Sequence, residues 1–413
     1  MRILHTSDWH LGRTLEGRSR QAEQEQFIDE LCRIAEDENI HLVLVAGDVF
    51  DTYNPPAYAE ELYCQALERL AQGRKRAVVV IAGNHDSPER LAAVSPLALR
   101  HGAFIAGMPG ETIVHKSAGV GVKLINSGPG WIELVLPSIE YSTIVSMLPY
   151  PSESRLQQVL SQELNEVKIR EAYSKTVNDI FLRQSSAYRP DSVNIAMSHL
   201  FVMGGMSSES ERPIEIGGAC MVDVSHLPAQ AQYIALGHLH RAQEVKHAPS
   251  KAFYSGSPLA YSFSEAGQTK AVYIIDVMPG SPSHVKAIHL TSGVPLERWR
   301  CMGGIDEALV RLEDLGGRPL WLDLEVHSSR FLTLEETARI RQSHSGLINI
   351  RCVVQGTEIE EVPVSLASLS VSELFTRYYK HRKAGIEPSP DLVQLFTKLA
   401  NMAATDEETG VSN

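Results

Sequence analysis

The chain has 413 residues, of which 43% are hydrophobic and 21% charged, so it is long enough to form two or three domains with ordinary cores. It contains no apolar run of about 18 residues, so we expect no membrane-spanning helix. Because its first strand-like run begins at the N-terminus, we also expect no signal peptide. The net charge of −12 disfavours tight, autonomous binding to nucleic acid, because attraction to phosphate depends on Lys and Arg, but it does not exclude phosphodiester chemistry.

Five strand-like apolar runs each end in a short polar cluster. In chain order, the runs with their clusters are ILHTSDWH, LVLVAGDVFD, VVVIAGNHD, NIAMSH and YIALGHLH. A continuous run of Val, Ile, Leu and Ala is typical of a buried parallel strand. Because ligands gather beyond the carboxyl ends of such strands in an α/β sheet, we expect the five clusters to meet at one edge of one sheet.

The clusters supply Asp, Asn and His side chains and no thiolate. Alternate residues of an extended chain point to the same side, so Asp8 with His10, and His238 with His240, can face one place. Seven such ligands are too many for one tetrahedral zinc ion and suit two six-coordinate ions that share a carboxylate. Mixed carboxylate and imidazole ligands favour Mn²⁺ or Fe²⁺, and two metals roughly 3.5–4 Å apart form the usual clamp for displacement at phosphorus. Mn²⁺ is the metal that we predict.

The motifs, in this order, resemble those of the calcineurin-like metallophosphoesterase superfamily. Within it they resemble a branch of DNA nucleases in the stretches MRILHTSDWHLGR, VAGDVFDTYNPP, GNHDSPERL, GGMSSESERPIEIGG (204–218) and GHLHRAQ. The protein phosphatases of the superfamily carry GDxVDRG and GNHE instead, whereas this chain has Phe50-Asp51-Thr52 in place of VDR and ends the second motif in Asp86. The resemblance implies an α/β fold: a metallophosphoesterase β-sandwich flanked by helices, with a small α/β capping domain and C-terminal helices.

The resemblance also implies a role for each residue of the clusters. It gives the first metal ion three ligands, Asp8, His10 and His240. It gives the second ion the ligands Asn84, His199 and His238, with Asp48 as the bridge between the ions. His85 is the predicted catalytic residue, which stabilises the transition state or protonates the leaving oxygen. For Asp51 and Asp86 we predict contacts that orient metal-ligating histidines.

Each cluster also has a structural interpretation. A single GDxxD or GNHD motif is as easily a turn, because Gly, Asn and Asp supply turn geometry, although five clusters in this order disfavour that explanation. We predict that His5 is a packed histidine and not a ligand. For the serine-rich loop 204–212, contact with the substrate and simple loop mobility both remain open.

Residues 1–290 are predicted to form the nuclease domain. Its amphipathic stretches 19–36 and 57–72 are expected to be helices, and AVYIIDV (271–277) and HVKAIHL (284–290) are expected to be its last strands. Three charged stretches are interpreted as solvated surface: the mostly helical segment 153–186, Arg74-Lys75-Arg76, and Arg377 to Lys383.

Residues 291–362 are predicted to form a small second domain in the order β-α-β-α-β. The expected strands lie at 298–302, 320–326 and 348–354, and the expected helices at 305–315 and 333–344. From the residues alone this is a module of unknown purpose. The resemblance implies a capping domain that helps to shape a DNA groove.

Residues 366–404 are predicted to form two helices. Ser370-x-x-Glu373 is a capping box that opens the first helix, and Ser389-Pro390 is an N-cap followed by proline that opens the second. Two short amphipathic helices must dock on their own protein or on a partner. The resemblance implies a partner, an SMC-like ATPase whose coiled-coil base this segment holds. Residues 405–413 are expected to be disordered.

The function that the resemblance implies is a Mn²⁺-dependent DNA nuclease of replication, recombination and repair. It implies 3′→5′ exonuclease action on double strands, endonuclease action on single strands and hairpins, and a homodimer within a heterotetramer. ATP would act through the ATPase, because the chain has no Walker A motif. Two alternatives stay open: a phosphoesterase for a nucleotide or other small phosphoester, which has no need of residues 291–404, and a non-catalytic DNA-end scaffold, which predicts a broken ligand set. The five cysteines lack a CxxC pairing and indicate reduced thiols in a cytoplasmic protein.

Overall fold

The structure is a computed structural model. The residues that it describes are 1–114, 120–156, 166–208, 210–211, 221–354, 371–382 and 387–396. The chain separates into two units, Met1–Val353 and Val354–Asn413. Within the described residues no helix is long and apolar enough to cross a membrane.

The strands in chain order are β1 (Arg2–Thr6), β2 (Thr14–Leu15), β3 (Arg18–Ser19), β4 (Leu42–Ala46), β5 (Ala77–Ile81), β6 (Ala103–Ala106), β7 (Lys123–Gly128), β8 (Trp131–Val135), β9 (Ser142–Leu148), β10 (Val193–His199), β11 (Phe201–Val202), β12 (Met221–Val222), β13 (Tyr233–Gly237), β14 (Gln243–Glu244), β15 (Ala252–Tyr254), β16 (Ala271–Asp276), β17 (His284–His289), β18 (Leu296–Cys301), β19 (Trp321–Ser328) and β20 (Leu347–Val354). The helices are α1 (Gln21–Asp37), α2 (Ala57–Ala71), α3 (Pro88–Ala92), α4 (Ser95–His101), α5 (Glu153–Leu156), α6 (Glu166–Ser185), α7 (Gly304–Asp314), α8 (Leu334–Ser343) and α9 (Val371–Arg382), and two short 3₁₀ turns lie at Val224–His226 and Phe263–Glu265.

Two large sheets form the body of the first unit. One has six strands in the order β17-β16-β1-β4-β5-β6, and the other has seven in the order β14-β15-β13-β10-β9-β8-β7. Apolar side chains of both sheets, among them Leu44, Val79, Ile195 and Ala235, pack together in one core cluster. The α/β sandwich that the resemblance implied is confirmed.

The expectation that the clusters meet at one edge of one sheet is wrong. The clusters after β1, β4 and β5 belong to the six-stranded sheet, and those after β10 and β13 belong to the seven-stranded sheet. The clusters still converge, because the two sheets pack face to face with these strand ends at the same end of the sandwich. Apolar runs identify buried strands but do not specify which strands pair.

Helices cover the outer faces of both sheets. The predicted helices 19–36 and 57–72 are confirmed as α1 and α2, which pack against the six-stranded sheet through side chains such as Phe27 and Leu62. α6 packs against the seven-stranded sheet through Tyr173, Val177 and Phe181, which recur every four residues and so lie on one helix face. The interpretation of 153–186 as a solvent-facing insertion is therefore wrong for α6. Its apolar residues alternate with charged residues in the sequence, which obscures the apolar face.

One basic stretch is also misassigned. Arg76 is buried, and its guanidinium donates hydrogen bonds to the carbonyl oxygens of Ile40, Leu70 and Ala35 at 2.7–2.9 Å. It joins the end of α1 to the end of α2. Arg76 is therefore a structural residue and not part of a solvated basic surface.

The β-α-β-α-β module is confirmed, with bounds within a few residues of those predicted. Its sheet has the order β18-β19-β20, and its core is formed by α7, α8 and the sheet through residues that include Trp299, Leu324 and Ile340. The indole Nε1 of Trp321 donates to Glu23 Oε1 of α1 at 3.0 Å. This contact joins the module to the body of the same unit.

The second unit contains α9 and a helical stretch at 390–396. The amide of Leu392 donates to the Ser389 carbonyl at 3.0 Å, as expected where Ser389 begins a helix. The rings of Phe375 and Phe396 stack with centroids 4.1 Å apart. Ser370 of the predicted capping box and residues 397–413 lie outside the described part of the chain.

Candidate metal centre

The seven predicted ligands lie at the carboxyl ends of five strands. Asp8 and His10 follow β1, Asp48 follows β4, Asn84 follows β5, His199 ends β10, and His238 and His240 follow β13. All except the half-buried Asn84 are buried. The structure brings all seven together.

The three predicted ligands of the first ion form a compact group. The Nε2 atoms of His10 and His240 are 3.0 Å apart, and ligand atoms of Asp8, His10 and His240 all lie within 4.8 Å of one another. Burial lowers the pKa of His10 to about 3, so its ring is neutral near pH 7. Two imidazole nitrogens that face each other at this distance suit a cation between them.

Asp48 lies between the two predicted ligand sets. Its Oδ2 is 3.7 Å from His10 Nε2 and 3.4 Å from His199 Nε2. Burial alone would raise the pKa of Asp48, but the neighbouring His199 and His85 hold it well below its usual range. An ionised carboxylate in this position is suited to bridge two cations.

Asn84 is the centre of the second set. Its Oδ1 is 2.9 Å from His199 Nε2 and 3.0 Å from His238 Nδ1. His199 Nδ1 donates to the Ala46 carbonyl at 2.9 Å, which leaves Nε2 as the ring nitrogen that faces Asn84 and Asp48. Geometrically, His199 also groups with Asp8 and Asp48.

The backbone is strained at four of these residues. Asp8, His10 and Asp48 have φ of 52°, 45° and 49°, and His238 has φ of 106°. Residues other than glycine rarely adopt positive φ, and such strain concentrates at functional sites. The strain accompanies the turning of these side chains toward one centre.

Glycines beside the ligands permit a close approach of the backbone. A Cβ atom on Gly83 would lie 2.1 Å from Asp48 Oδ1, and one on Gly237 would lie 1.9 Å from the Ala46 carbonyl oxygen. No side chain fits at either position. The glycines of GNHD and GHLH are therefore required by packing around the ligands.

Asp51 and Asp86, which were predicted to orient histidines, have different contacts. Asp51 Oδ1 is 3.4 Å from His10 Nδ1, a close approach without hydrogen-bond geometry, so its role in orienting that histidine stays a prediction. Asp86 instead accepts backbone amides of Val49, Phe50 and Gly83 at 2.8–3.2 Å. The prediction for Asp86 is wrong, because its carboxylate ties two ligand loops together by their backbones.

His85 lies at the rim of the same group. Its amide donates to Asp48 Oδ1 at 2.8 Å, and its Nδ1 donates to the Asp51 carbonyl at 2.7 Å. Its ring is 4.7 Å from that of His10. His10, Asp51 and His85 also satisfy the distances of a metal-ligand group, so the predicted catalytic role needs a test that separates it from metal binding.

His5 is confirmed as a packed histidine. It is fully buried, its Nδ1 is 2.9 Å from the hydroxyl of Tyr233, and its ring stacks near Tyr273. It belongs to the core between the sheets.

Sequence reasoning missed several residues around the site. Arg155 donates to the carbonyl oxygens of Gly83 and Asp86 at 2.8 and 2.7 Å, and thereby holds the GNHD loop. Tyr150 stacks beside His238 with ring centroids 6.3 Å apart. Neither residue belongs to a polar cluster after an apolar run, so no signal in the sequence marks it.

The donor set fits divalent metal ions. It combines carboxylate, amide and imidazole donors that converge from two sheets, and such oxygen and nitrogen ligands suit first-row divalent metals. Burial alone would lower the pKa of His199, but the buried carboxylates of Asp48 and Asp8 raise it to about 9, so this group of carboxylates calls for a nearby positive charge. The residues present are therefore those that a two-metal centre requires.

Comparison with known proteins gives two family matches. Residues 1–242 match the calcineurin-like phosphoesterase family. This range contains β1 to β13 and ends just after His240, the last predicted ligand. Residues 292–383 match the type 5 capsule protein repressor C-terminal domain, a region that begins just before β18.

Individual relatives give a more specific assignment than the family matches. The D subunit of nuclease SbcCD from Bacillus subtilis (strain 168) is 43% identical over 401 residues, which are 97% of this chain and 98% of that protein. The protein of the same name from Escherichia coli (strain K12) is 30% identical over 99% of this chain and 100% of its own length. The one from Rhodobacter capsulatus is 32% identical over 76% of each chain. The chain therefore belongs to the calcineurin-like phosphoesterase family and, within it, to the SbcD proteins, the D subunits of nuclease SbcCD.

Proposed function

We propose that this chain is the metal-dependent nuclease subunit of a complex with an SbcC-type, SMC-like ATPase, and that it hydrolyses DNA phosphodiester bonds. The observation that carries the proposal is the complete set of seven converging ligands in a chain that matches SbcD proteins over nearly its full length. A non-catalytic scaffold would not need this set. The expected reactions are 3′→5′ exonuclease action on duplex DNA and endonuclease action on single strands and hairpins.

In this proposal, Asp8, His10 and His240 would hold one ion, Asn84, His199 and His238 would hold the other, and Asp48 would be the ligand that both share. Two divalent ions, when bound, would bind the scissile phosphate and lower the pKa of the attacking water. We propose Mn²⁺ for both sites, because the ligands are mixed carboxylate, amide and imidazole donors without a thiolate.

His85 is the proposed catalytic residue. Its Nδ1–H is held by the Asp51 carbonyl, so Nε2 is the nitrogen that we assign to the phosphate or to the leaving oxygen. Its amide also fixes Asp48 Oδ1. These two hydrogen bonds fix the position of the histidine relative to the bridging carboxylate, and catalysis requires such positioning.

The rest of the chain is assigned to DNA and to the partner. We propose residues 1–290 as the nuclease domain, 291–362 as the capping domain beside the DNA, and 366–404 as the segment that docks the ATPase. In the second unit Tyr378, Leu395 and Phe396 are exposed, and Phe396 stacks on Phe375 of α9, so both helices offer exposed apolar side chains to a partner. We further propose a homodimer within a heterotetramer, acting in the cytoplasm, where free cysteines such as Cys32 and Cys64 stay reduced.

The test uses end-labelled duplex DNA with Mn²⁺, with and without the ATPase and ATP, and a small phosphodiester such as bis-nitrophenyl phosphate. We expect metal-dependent hydrolysis of the small diester by the chain alone, and shortening of the duplex from its 3′ ends with the ATPase and ATP. A chain that hydrolyses only nucleotides or small phosphoesters under all conditions would refute the nuclease proposal. Parallel titrations with Mn²⁺, Mg²⁺ and Zn²⁺ would decide the metal.

A further inference from the structure

A buried chain of hydrogen bonds connects His240 to residues distant in sequence. Ser210 Oγ is 2.6 Å from His240 Nδ1 and 2.5 Å from Glu265 Oε1. It is also 2.8 Å from Ser208 Oγ. Ser210 belongs to the serine-rich loop, whose described residues are 204–208 and 210–211, whereas Glu265 lies in the 3₁₀ turn before β16.

Glu265 is held as a carboxylate by a buried lysine. Lys270 contacts Glu265 Oε2, and its Nζ also donates to the His240 carbonyl and to Ser257 Oγ, each at 3.0 Å. Both charged side chains are buried. The ammonium group therefore compensates the carboxylate and ties it to the backbone of His240.

The proton positions in this chain follow from what each group can do. A carboxylate only accepts hydrogen bonds, whereas a hydroxyl donates one and accepts two. Ser210 must therefore donate to Glu265, and it must accept from Nδ1–H of His240. With its proton on Nδ1, His240 presents Nε2 as the ligand atom, and Nε2 lies 3.0 Å from His10 Nε2.

The serine-rich loop is fixed to His240 by a second contact. Glu211 Oε1 accepts the backbone amide of His240 at 2.8 Å. Arg13 Nη2, from the loop after β1, donates to the Ser210 carbonyl at 2.9 Å. These contacts hold the Ser210 hydroxyl within hydrogen-bond distance of the His240 imidazole.

We infer that Ser210, with Glu265 and Lys270 behind it, positions His240 as a metal ligand by fixing its tautomer and ring orientation. Ser210 and Glu265 are positioning residues, since they act through His240 and not on the substrate. This inference rests on the proposed role of His240 in the metal centre. It gives the serine-rich loop a third role, beside substrate contact and simple mobility.

The test is calorimetric titration of the metal-free, full-length chain with Mn²⁺. Partners of this kind typically contribute about 10–100-fold to metal affinity, so Ser210→Ala should weaken one of the two binding events by about that factor and leave the other unchanged. Glu265→Gln should weaken the same event. Thermal unfolding of each metal-free variant reports whether the fold is retained, and we expect Ser210→Ala to keep the wild-type midpoint.

Ser207→Ala is the matched control, because Ser207 is an exposed serine of the same loop. We expect it to bind both ions with wild-type affinity. Wild-type affinity for both ions in Ser210→Ala, or equal weakening of both with a lower unfolding midpoint, would overturn the inference and leave the proposed function standing. A wild-type chain that binds two Mn²⁺ ions but cuts no DNA would overturn the proposed function and leave the positioning role intact.

Discussion

Replacing His85 with alanine separates catalysis from metal binding. The variant keeps the backbone amide that donates to Asp48 Oδ1 at 2.8 Å, so the bridging carboxylate retains this partner. What is lost is the imidazole, together with its hydrogen bond to the Asp51 carbonyl. A general acid or a transition-state contact typically contributes ~10²–10⁴-fold, which corresponds to ~2.7–5.4 kcal/mol of activation free energy. We expect a loss of that size in duplex cleavage, with two Mn²⁺ ions still bound.

Two substrates distinguish the roles of the ring. If His85 protonates the leaving oxygen, the loss should be large with DNA and much smaller with bis-nitrophenyl phosphate, because nitrophenolate leaves without a proton. Ser87→Ala is the control, since Ser87 is a half-buried residue two positions after His85 that caps α3, and it should keep wild-type rates. Loss of a metal ion from His85→Ala would show that the ring is a ligand, as its grouping with His10 and Asp51 permits. A rate of duplex DNA cleavage within tenfold of wild type would refute the catalytic role.

Three further changes test other parts of the molecule. Asp48→Ala should abolish nuclease activity and leave fewer than two bound ions in elemental analysis, because its Oδ2 lies near both ligand sets; two ions at full occupancy would refute the bridge. Burial lowers the pKa of His5 from 6.5 to about 3, so between these pH values only the unfolded chain takes up the proton. The unfolding free energy should therefore fall as the pH falls through this window, by up to ~1.4 kcal/mol per pH unit. Denaturant titrations at several pH values measure this dependence: the unfolding free energy should vary less steeply with pH in His5→Gln, and as steeply as in the wild type in the exposed His101→Gln. Removal of residues 366–413 should leave Mn²⁺ binding and hydrolysis of the small diester intact but abolish co-purification with the ATPase, and unchanged co-purification would refute the docking role.

The sequence predicted helices and strands well where apolar residues recur with a single clear spacing. The capping module is the clearest case, since alternation in LWLDLEV and helical spacing in 305–315 gave β19 and α7 within a few residues. The ligand loops were predictable for a different reason. A polar cluster directly after an apolar run marks the carboxyl end of a buried strand, whichever sheet that strand joins.

Pairing and burial of charged groups were not predictable from the sequence. Nothing local distinguishes the run that becomes β4 from the run that becomes β10, although they lie in different sheets. Arg76 and Glu265 look like ordinary surface charges until the fold supplies the carbonyl oxygens or the lysine that they contact. Ser210 and Glu265 are 55 residues apart, so no spacing rule connects them.

The acidity of the chain raises the question of which charges attract a phosphate to the metal centre. Three basic side chains described beside it are already engaged with the protein: Arg13 with Asp51 and the Ser210 carbonyl, Arg155 with two carbonyl oxygens of the GNHD loop, and Lys270 with Glu265. They brace the ligand loops, and they leave little positive charge for a phosphate. Two divalent ions would change the net charge from −12 to −8, and would place all four added charges where the ligands converge. Because attraction to phosphate depends on local charge, we expect the bound ions, and not basic side chains of the site, to draw the scissile phosphate into the centre.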